Sequence, residues 1–360
     1  MGNYIIRKIE TKDIKPIKEL WKKHFEAAIA AKRAESFNWI LKGNPYSEAK
    51  DGYFVMEEDG KIIAYCGLMP SKFYLTGKNY TSYIYHDTMV DPAQRGKGIG
   101  TKLIEGIIKQ NPLFSIAVWM NAPNARVFEK CGWESVNNLP TYVRGYNAAA
   151  FVKLKWKSLN KISISILNLF LSAIYKLEKV SYFYKKKKFT IEAIDQFDDR
   201  VDSLFYEIKN EYSFITYRTQ EILNWKYSQP IAPHYSKLIC NQGGKLVGYI
   251  VFRTKDVGEG KIVATLFDYL FSLKNMDVFT ALLRNAIIEI EKEKPDSIEI
   301  LCSNNTLRRV LNRFGFIKHT DNQFALKYIN HDSIAGSERL PNGNDWFFTH
   351  GDGDKIFWEI

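Results

Sequence analysis

Cysteine, histidine and membrane-length apolar runs are all scarce in this 360-residue chain. The four cysteines, Cys66, Cys131, Cys240 and Cys302, are scattered and never form C-x-x-C. That excludes a disulfide frame or a zinc knuckle and fits reduced, buried thiols. Six dispersed histidines include no H-E-x-x-H, and no metal is expected. No G-K-[ST] closes a Walker loop, and the dinucleotide fingerprint G-x-G-x-x-G is missing. The apolar stretch Ile162–Leu177 is shorter than the ~20 residues that span a bilayer. Met1–Ile6 runs straight into a strand-like pattern, so no targeting segment is expected and the reading is cytoplasmic.

What the chain does contain is enough for two cores: 46% hydrophobic and 14% aromatic residues over a length that favours two domains. The net charge is +11, which raises the question of nucleic acid. Its placement argues against one. The stretch 151–188 carries ten lysines and a single acid, Glu178, and the remainder is close to neutral. A local basic connector suits a local anionic partner, such as a phosphorylated ligand or a membrane surface.

The sequence also repeats. Phe37-Asn38-Trp39-Ile40-Leu41 has a counterpart in Leu223-Asn224-Trp225-Lys226-Tyr227. Each is followed by a Gly-turn hairpin, an apolar strand around an Asp (Asp87, Asp268), an amphipathic helix and another strand. Asn121 precedes Gly132-Trp133, and Asn304 precedes Gly315-Phe316, at the same spacing. So many agreements in one order indicate a tandem duplication. The expected organisation is a domain at 1–150, a basic connector at 151–188, a second, decayed copy at 189–330 and a tail at 331–360. On a helical wheel the connector places Lys161, Ser165, Asn168, Ser172 and Lys176 on one stripe, opposite an apolar face. Such a helix either packs between the domains or lies on an anionic membrane.

The segment Asp91-Pro92-Ala93-Gln94-Arg95-Gly96-Lys97-Gly98-Ile99-Gly100 lies between a strand at 83–90 and a helix from Thr101. Glycines opening a helix turn several N–H groups toward one point at the positive end of the helix dipole, a seat for a pyrophosphate. Arg95 and Lys97 add charge at the rim. The second copy reads Phe271-Ser272-Leu273-Lys274-Asn275-Met276-Asp277 here, without glycine, so no such seat is expected in it.

Arg95–Gly100 resembles the R/Q-x-x-G-x-G/A pyrophosphate loop of the GNAT superfamily of acetyl-CoA-dependent acetyltransferases. The run from Asn121 to Trp133 resembles that family's N-x-x-A-x-x-x-Y-x-x-x-G-F element. The likeness covers residues 4–145, while 189–330 agree in layout and in the Asn304…Gly315-Phe316 closure. The whole arrangement looks like the tandem GNAT proteins of bacteria. The resemblance implies an α/β (α+β) fold of two GNAT-like domains, each a mixed, mostly antiparallel sheet flanked by helices. It implies acetyl-CoA as co-substrate, its arm lying between strands 83–90 and 114–119. Met89 and Val90 would then hold the pantetheine, Arg95, Gly96, Lys97, Gly98, Ile99 and Gly100 the pyrophosphate, and Asn121 and Phe128 the arm.

Phe128 stands where the family often has a tyrosine acid, so the leaving thiolate needs another proton source: Tyr142, Cys131 or water. For an ammonium acceptor the candidate bases are His86, whose ordinary pKa of ~6.5 suits neutral pH, and Asp87. Strand alternation puts these two on opposite faces. In the tail, Trp346 offers a ring for stacking, and Asp352 and Asp354 sit on a Gly-spaced turn, for substrate contact or for docking. The expected activity is transfer of an acetyl group from acetyl-CoA to an amine or hydroxyl of a small acceptor, with a sugar of surface-polysaccharide synthesis as one candidate. The alternatives are a tandem-GNAT transferase using aminoacyl-tRNA and an inactive acetyl-CoA-binding scaffold.

Overall fold

A computed structural model describes residues 4–47, 52–110, 114–136, 139–146, 189–320, 324–328 and 346–358. The connector 151–188, with its lysines and the apolar helix read at Ile162–Leu177, lies outside the described residues.

Two mixed, mostly antiparallel sheets carry the chain. The first contains, in spatial order, β1 (Tyr4–Lys8), β2 (Tyr53–Glu58), β3 (Lys61–Leu75), β4 (Lys78–Val90), β5 (Ser115–Met120), β15 (Phe324–Tyr328) and β6 (Glu134–Val136). The second runs β14 (Ile317–Thr320), β7 (Thr141–Gly145), β13 (Ser297–Leu301), β12 (Ile262–Phe271), β11 (Lys245–Asp256), β10 (Ser236–Gln242) and β8 (Thr190–Ala193). Two short strands extend the first sheet along β3: β9 (Phe214–Thr216) and, parallel to it, β16 (Trp346–Phe347). Read from opposite ends, the two seven-strand orders correspond strand for strand. Each has four antiparallel strands and then a parallel pair, β4 with β5 and β12 with β13.

The halves exchange a strand. β7, from the first half, lies between β13 and β14, and β15, from the second, lies between β5 and β6. The sequence boundaries 1–150 and 189–330 therefore separate the repeats in order along the chain, but neither sheet is built from one segment. The physical reason is that a five-residue strand pairs with whichever open edge its backbone reaches, and its side chains do not encode which sheet that is. The C-terminal stretch is likewise built into the first sheet through β16.

Alternation along the strands sorts the core into two layers around the first sheet. Phe54, Met56, Ala64 and Cys66 face α3 (Ile99–Gln110) and α4 (Ala122–Lys130), meeting Leu103, Ile104, Ile107 and Phe128. Tyr53, Val55 and Tyr65 face α1 (Ile14–His24) and α2 (Ala27–Gly43), meeting Ile17, Trp21 and Phe37. α3 is helical because its apolar residues, Ile99, Leu103, Ile104 and Ile107, recur at helical spacing on one face. Each is fully buried and contributes ~1.5–3 kcal/mol. In the second half α5 (Arg200–Ile208) and α7 (Met276–Glu291) pack on the second sheet, and α6 (Gln220–Tyr227) and α8 (Asn305–Arg313) join the same core. A final short helix, α9 (Lys355–Trp358), touches α2. No helix among the described residues is long and apolar enough to cross a membrane.

Candidate active site

The parallel pair β4–β5 is in register only over Tyr83–Tyr85 and Ser115–Ala117. Beyond it the strands part, leaving His86–Val90 on one side and Val118–Met120 on the other. A cleft of about 900 Å³ opens at this divergence. Its wall includes Met89, Val90, Gly98 and Asn121.

At one end, Asp91 starts a turn with its side chain accepting from Ala93 N at 3.0 Å. Gly96 and Gly98 then take φ of +77° and +74°, a left-handed conformation that glycine adopts without penalty. The α3 backbone ladder begins with Lys102 N donating to Gly98 O at 3.1 Å. The N–H groups of Ile99, Gly100 and Thr101 are thus the first-turn donors that a helix cannot satisfy internally. The Ile99 side chain is buried in the core, so this residue offers only its backbone to the cleft. Arg95 stands at the rim, its Nη2 donating to His24 Nδ1 at 3.0 Å. His24 Nε2 in turn donates to Val90 O at 2.9 Å. The two bonds fix the imidazole as a neutral tautomer, and burial lowers its pKa in the same sense. Lys97 is exposed and bonds Gln94 Oε1 at 2.9 Å. This end of the cleft is cationic and rich in backbone donors, and it fits a pyrophosphate. Across the gap, Asn121 caps α4, accepting from Asn124 N at 2.9 Å.

The other end is acidic. β4 bulges where Gly67 pairs with His86 and Tyr65 with Met89, and Asp87 in the bulge has φ of +51°. The extra residue cancels alternation. His86 packs edge-on against Tyr53, ring centroids 5.4 Å apart. Asp87 accepts from Tyr65 Oη at 2.7 Å and forms an ion pair with Arg33 of α2. Both therefore lie on the α1–α2 side of the sheet, correcting the expectation that they point to opposite faces. Tyr65 also receives the Trp21 indole N–H, so Asp87 is held from several sides. His86 is 5% exposed. Its ring occupies the place where a Cβ on residue 67 would sit, which makes glycine necessary there. Burial lowers its pKa, with Asp354 and Asp87 opposing that effect. Asp354 comes from the C-terminal segment, lines the cleft, and stands 4.0 Å from His86 Nδ1.

Three residues named from the sequence lie elsewhere. Tyr142 is on β7, paired with Ile300 and Lys318 in the second sheet and buried in the large core. It is not part of the cleft, because the strand exchange carries it away. Phe128 is a core residue, edge-on to Trp133 at 4.8 Å and to Tyr85 at 5.8 Å, so its ring packs the fold and does not line the cleft. Cys131 is half-buried, with burial raising its thiol pKa to about 11 and its Sγ directed to Thr101 O. Trp346 is fully buried and stacked on Phe214 at 4.2 Å, unavailable to a sugar.

The second half keeps the strand pair and replaces the cleft with charge. Arg218 Nε bonds Asp268 Oδ1 at 3.1 Å and its Nη2 bonds Asp352 Oδ2 at 2.6 Å. All three are buried. Arg33 and His24 were not singled out from the sequence; each reaches the cleft from a helix distant in the chain and sits in no recognisable motif. Asp354, read from the sequence as a substrate contact or part of a docked tail, lines the cleft. Among the described residues no three His, Cys, Asp or Glu side chains gather as metal ligands.

Residues 14–133 match the acetyltransferase (GNAT) family. Comparison with curated proteins gives no match. Among solved structures the chain is similar to the N-myristoyltransferase of Saccharomyces cerevisiae with bound myristoyl-CoA, at TM-score 0.59 and 15% identity over 91% of this chain and 82% of that one. It is similar to a probable N-acyltransferase of Enterococcus faecalis V583, at TM-score 0.58 and 14% identity over 90% of this chain and 72% of that one. A GCN5-related N-acetyltransferase of Anabaena variabilis ATCC 29413 gives TM-score 0.57 and 11% identity, over 90% and 72%. At these identities the likeness is one of fold, and it extends over both halves.

Proposed function

We propose, on the premise that residues 14–133 match the acetyltransferase (GNAT) family, that the chain transfers an acetyl group from acetyl-CoA to the amine of a small acceptor. The observation that carries this is the divergence of β4 from β5 beside the Gly96–Gly100 turn, which joins a slot for an extended arm to a seat for phosphate. Acyl-CoA supplies, when bound, a thioester as acyl donor. The N–H groups of the first turn of α3 and Arg95 hold its pyrophosphate, and His24 keeps Arg95 aimed. Met89 and Asn121 flank the arm; the carbonyl of Val90 is already engaged by His24.

Asp87 has one oxygen on Arg33 and the other on Tyr65, so it serves to hold the bulge. His86 is assigned the base role, since burial keeps it neutral at pH 7 and able to accept a proton. An acidic acceptor end favours a cationic amine over a hydroxyl, and amino sugars are one class to test. The lysine-rich stretch 151–188 is assigned to an anionic partner, with a membrane surface as one form of it.

The test is free-thiol release from acetyl-CoA and from longer acyl-CoAs with a panel of amines, amino sugars and alcohols. Acceptor-dependent release is expected with amines, reduced by ~10²-fold or more in His86→Ala. Cofactor binding with no release for any acceptor would favour the scaffold alternative instead.

A further inference from the structure

A second cavity, of about 680 Å³, opens in the other half of the chain. The stretch after β8, the loop from α6 to β10 and the C-terminal half of α7 enclose it. It shares no described residue with the cleft between β4 and β5. Its frame is tied in place. Asn224 of α6 exchanges two bonds with the backbone of Phe197, its Oδ1 accepting from Phe197 N and its Nδ2 donating to Phe197 O, both at 2.9 Å. Ser228 Oγ donates to Asp195 O at 3.2 Å, and Ile194 N donates to Lys237 O at 3.1 Å. Walls fixed before a ligand arrives leave little ordering for binding to impose.

The wall of this cavity holds an ammonium group. Lys237, on β10, is 7% exposed. Its Nζ donates to Tyr227 O at 3.1 Å and to Tyr235 O at 3.0 Å. A lysine carries three N–H donors, so one remains for the cavity. No carboxylate among the described residues forms an ion pair with it. Asp195, exposed at the rim, acts on it from farther off, and burial outweighs that attraction and lowers the lysine pKa. Arg218 in the same half shows the contrast, its buried charge meeting both Asp268 and Asp352. A buried cation is costly to desolvate unless an anion completes it, and Lys237 lacks that anion.

We propose that this cavity binds an organic monocarboxylate, with the carboxylate on Lys237 and the apolar body against Leu238 and Phe252. A charge-assisted bond from a desolvated ammonium to a carboxylate is roughly twice as strong as a neutral one. Ile191, Ala232, Leu238 and Phe252 give the same cavity an apolar wall, which suits a carbon chain. A single negative charge fits best, because Asp195 and Glu289 also line the cavity and repel a phosphate dianion. The site stands apart from acyl transfer, and its occupancy does not depend on that activity.

Isothermal titration of sodium hexanoate into the full chain, with and without CoA, tests this. Hexanoate should bind saturably in both conditions. Hexanol and inorganic phosphate should bind at least ~10-fold more weakly, as loss of one charge-assisted bond implies. Lys237→Met removes the ammonium and should weaken hexanoate by the same factor. Ala232→Trp fills the cavity from its loop, leaves the ammonium in place and should also block hexanoate, so the site is tested even if Lys237→Met fails to fold. Four results would each overturn the assignment: no saturable binding in the parent, parent-like affinity in either folded variant, phosphate binding more tightly than hexanoate, or hexanoate binding that CoA abolishes. The last would place hexanoate in the first half's cleft.

Discussion

The indole of Trp39 donates to the carbonyl of Trp225 at 3.0 Å, and the indole of Trp225 donates to the carbonyl of Trp39 at 3.4 Å. The rings meet edge-on at 6.3 Å. These are the matching residues of the two repeats, and the reciprocal bonds mark a local two-fold relation between the halves. Both side chains are buried. The exchange of β7 and β15 ties the halves together a second time, so neither sheet is complete without a strand from the other half.

The first prediction concerns this junction. Trp225→Ala should cost ~3–5 kcal/mol in urea unfolding, as large-to-small changes in a core do. Because the sheets share strands, far-UV and tryptophan signals should still fall in one transition. Two separate transitions, or a loss below ~1 kcal/mol, would contradict an interlocked core.

The buried charges around Arg218 give the second. Asp352→Asn leaves Arg218 in the interior with one of its two carboxylate partners neutralised, and breaking a buried pair in this way costs ~3–5 kcal/mol. Adding Arg218→Met removes the stranded charge and should recover part of the loss, a coupling that a double-mutant cycle measures. Strict additivity of the two changes would mean that the pair does not act as a unit.

Acid sensitivity is the third. His350 is fully buried, and burial, helped by Lys355, holds its pKa well below the ordinary 6.5. Above pH 6.5 both folded and unfolded forms are neutral at this site, and it contributes no pH dependence. As pH falls below 6.5 the unfolded chain takes a proton that the folded one refuses. Stability is then lost by up to ~1.4 kcal/mol per pH unit until the folded pKa is reached. His24 and His86 shift in the same direction. In His350→Phe the fall in stability between pH 6.5 and 5 should be shallower; an unchanged slope would show that His350 titrates as it does in water.

Much of the geometry at the Gly96–Gly100 end of the cleft was legible in the sequence because it is local. The glycines at 96 and 98, the helix after them and the Asn121 cap fall within one short stretch, where spacing alone decides backbone geometry. The repeat was legible for the same reason: Trp39 and Trp225 sit in matching runs. At the other end the residues His86, Asp87 and Asp354 were legible as candidates, but not how they are arranged. A one-residue bulge at Asp87 places it and His86 on one face, and nothing in the alternation of β4 announces it. Arg33, His24 and Asp354 meet the cleft through contacts 54 to 71 residues apart or longer. Tyr142 was misplaced because β7 pairs in the other sheet, a choice made by open edges in three dimensions.

The central claim is that the Gly96–Gly100 turn seats the pyrophosphate of acyl-CoA, and melting curves test it most directly. Acetyl-CoA at a hundred times its Kd should add about 2.7 kcal/mol to stability, a rise of a few degrees in Tm for a chain of this size. Gly98→Asp places a carboxylate in the seat and a side chain where φ is +74°, so the variant should melt slightly below the parent without ligand, for the left-handed backbone, and show no rise with it. A ligand-induced rise in Gly98→Asp equal to that of the parent would contradict the account.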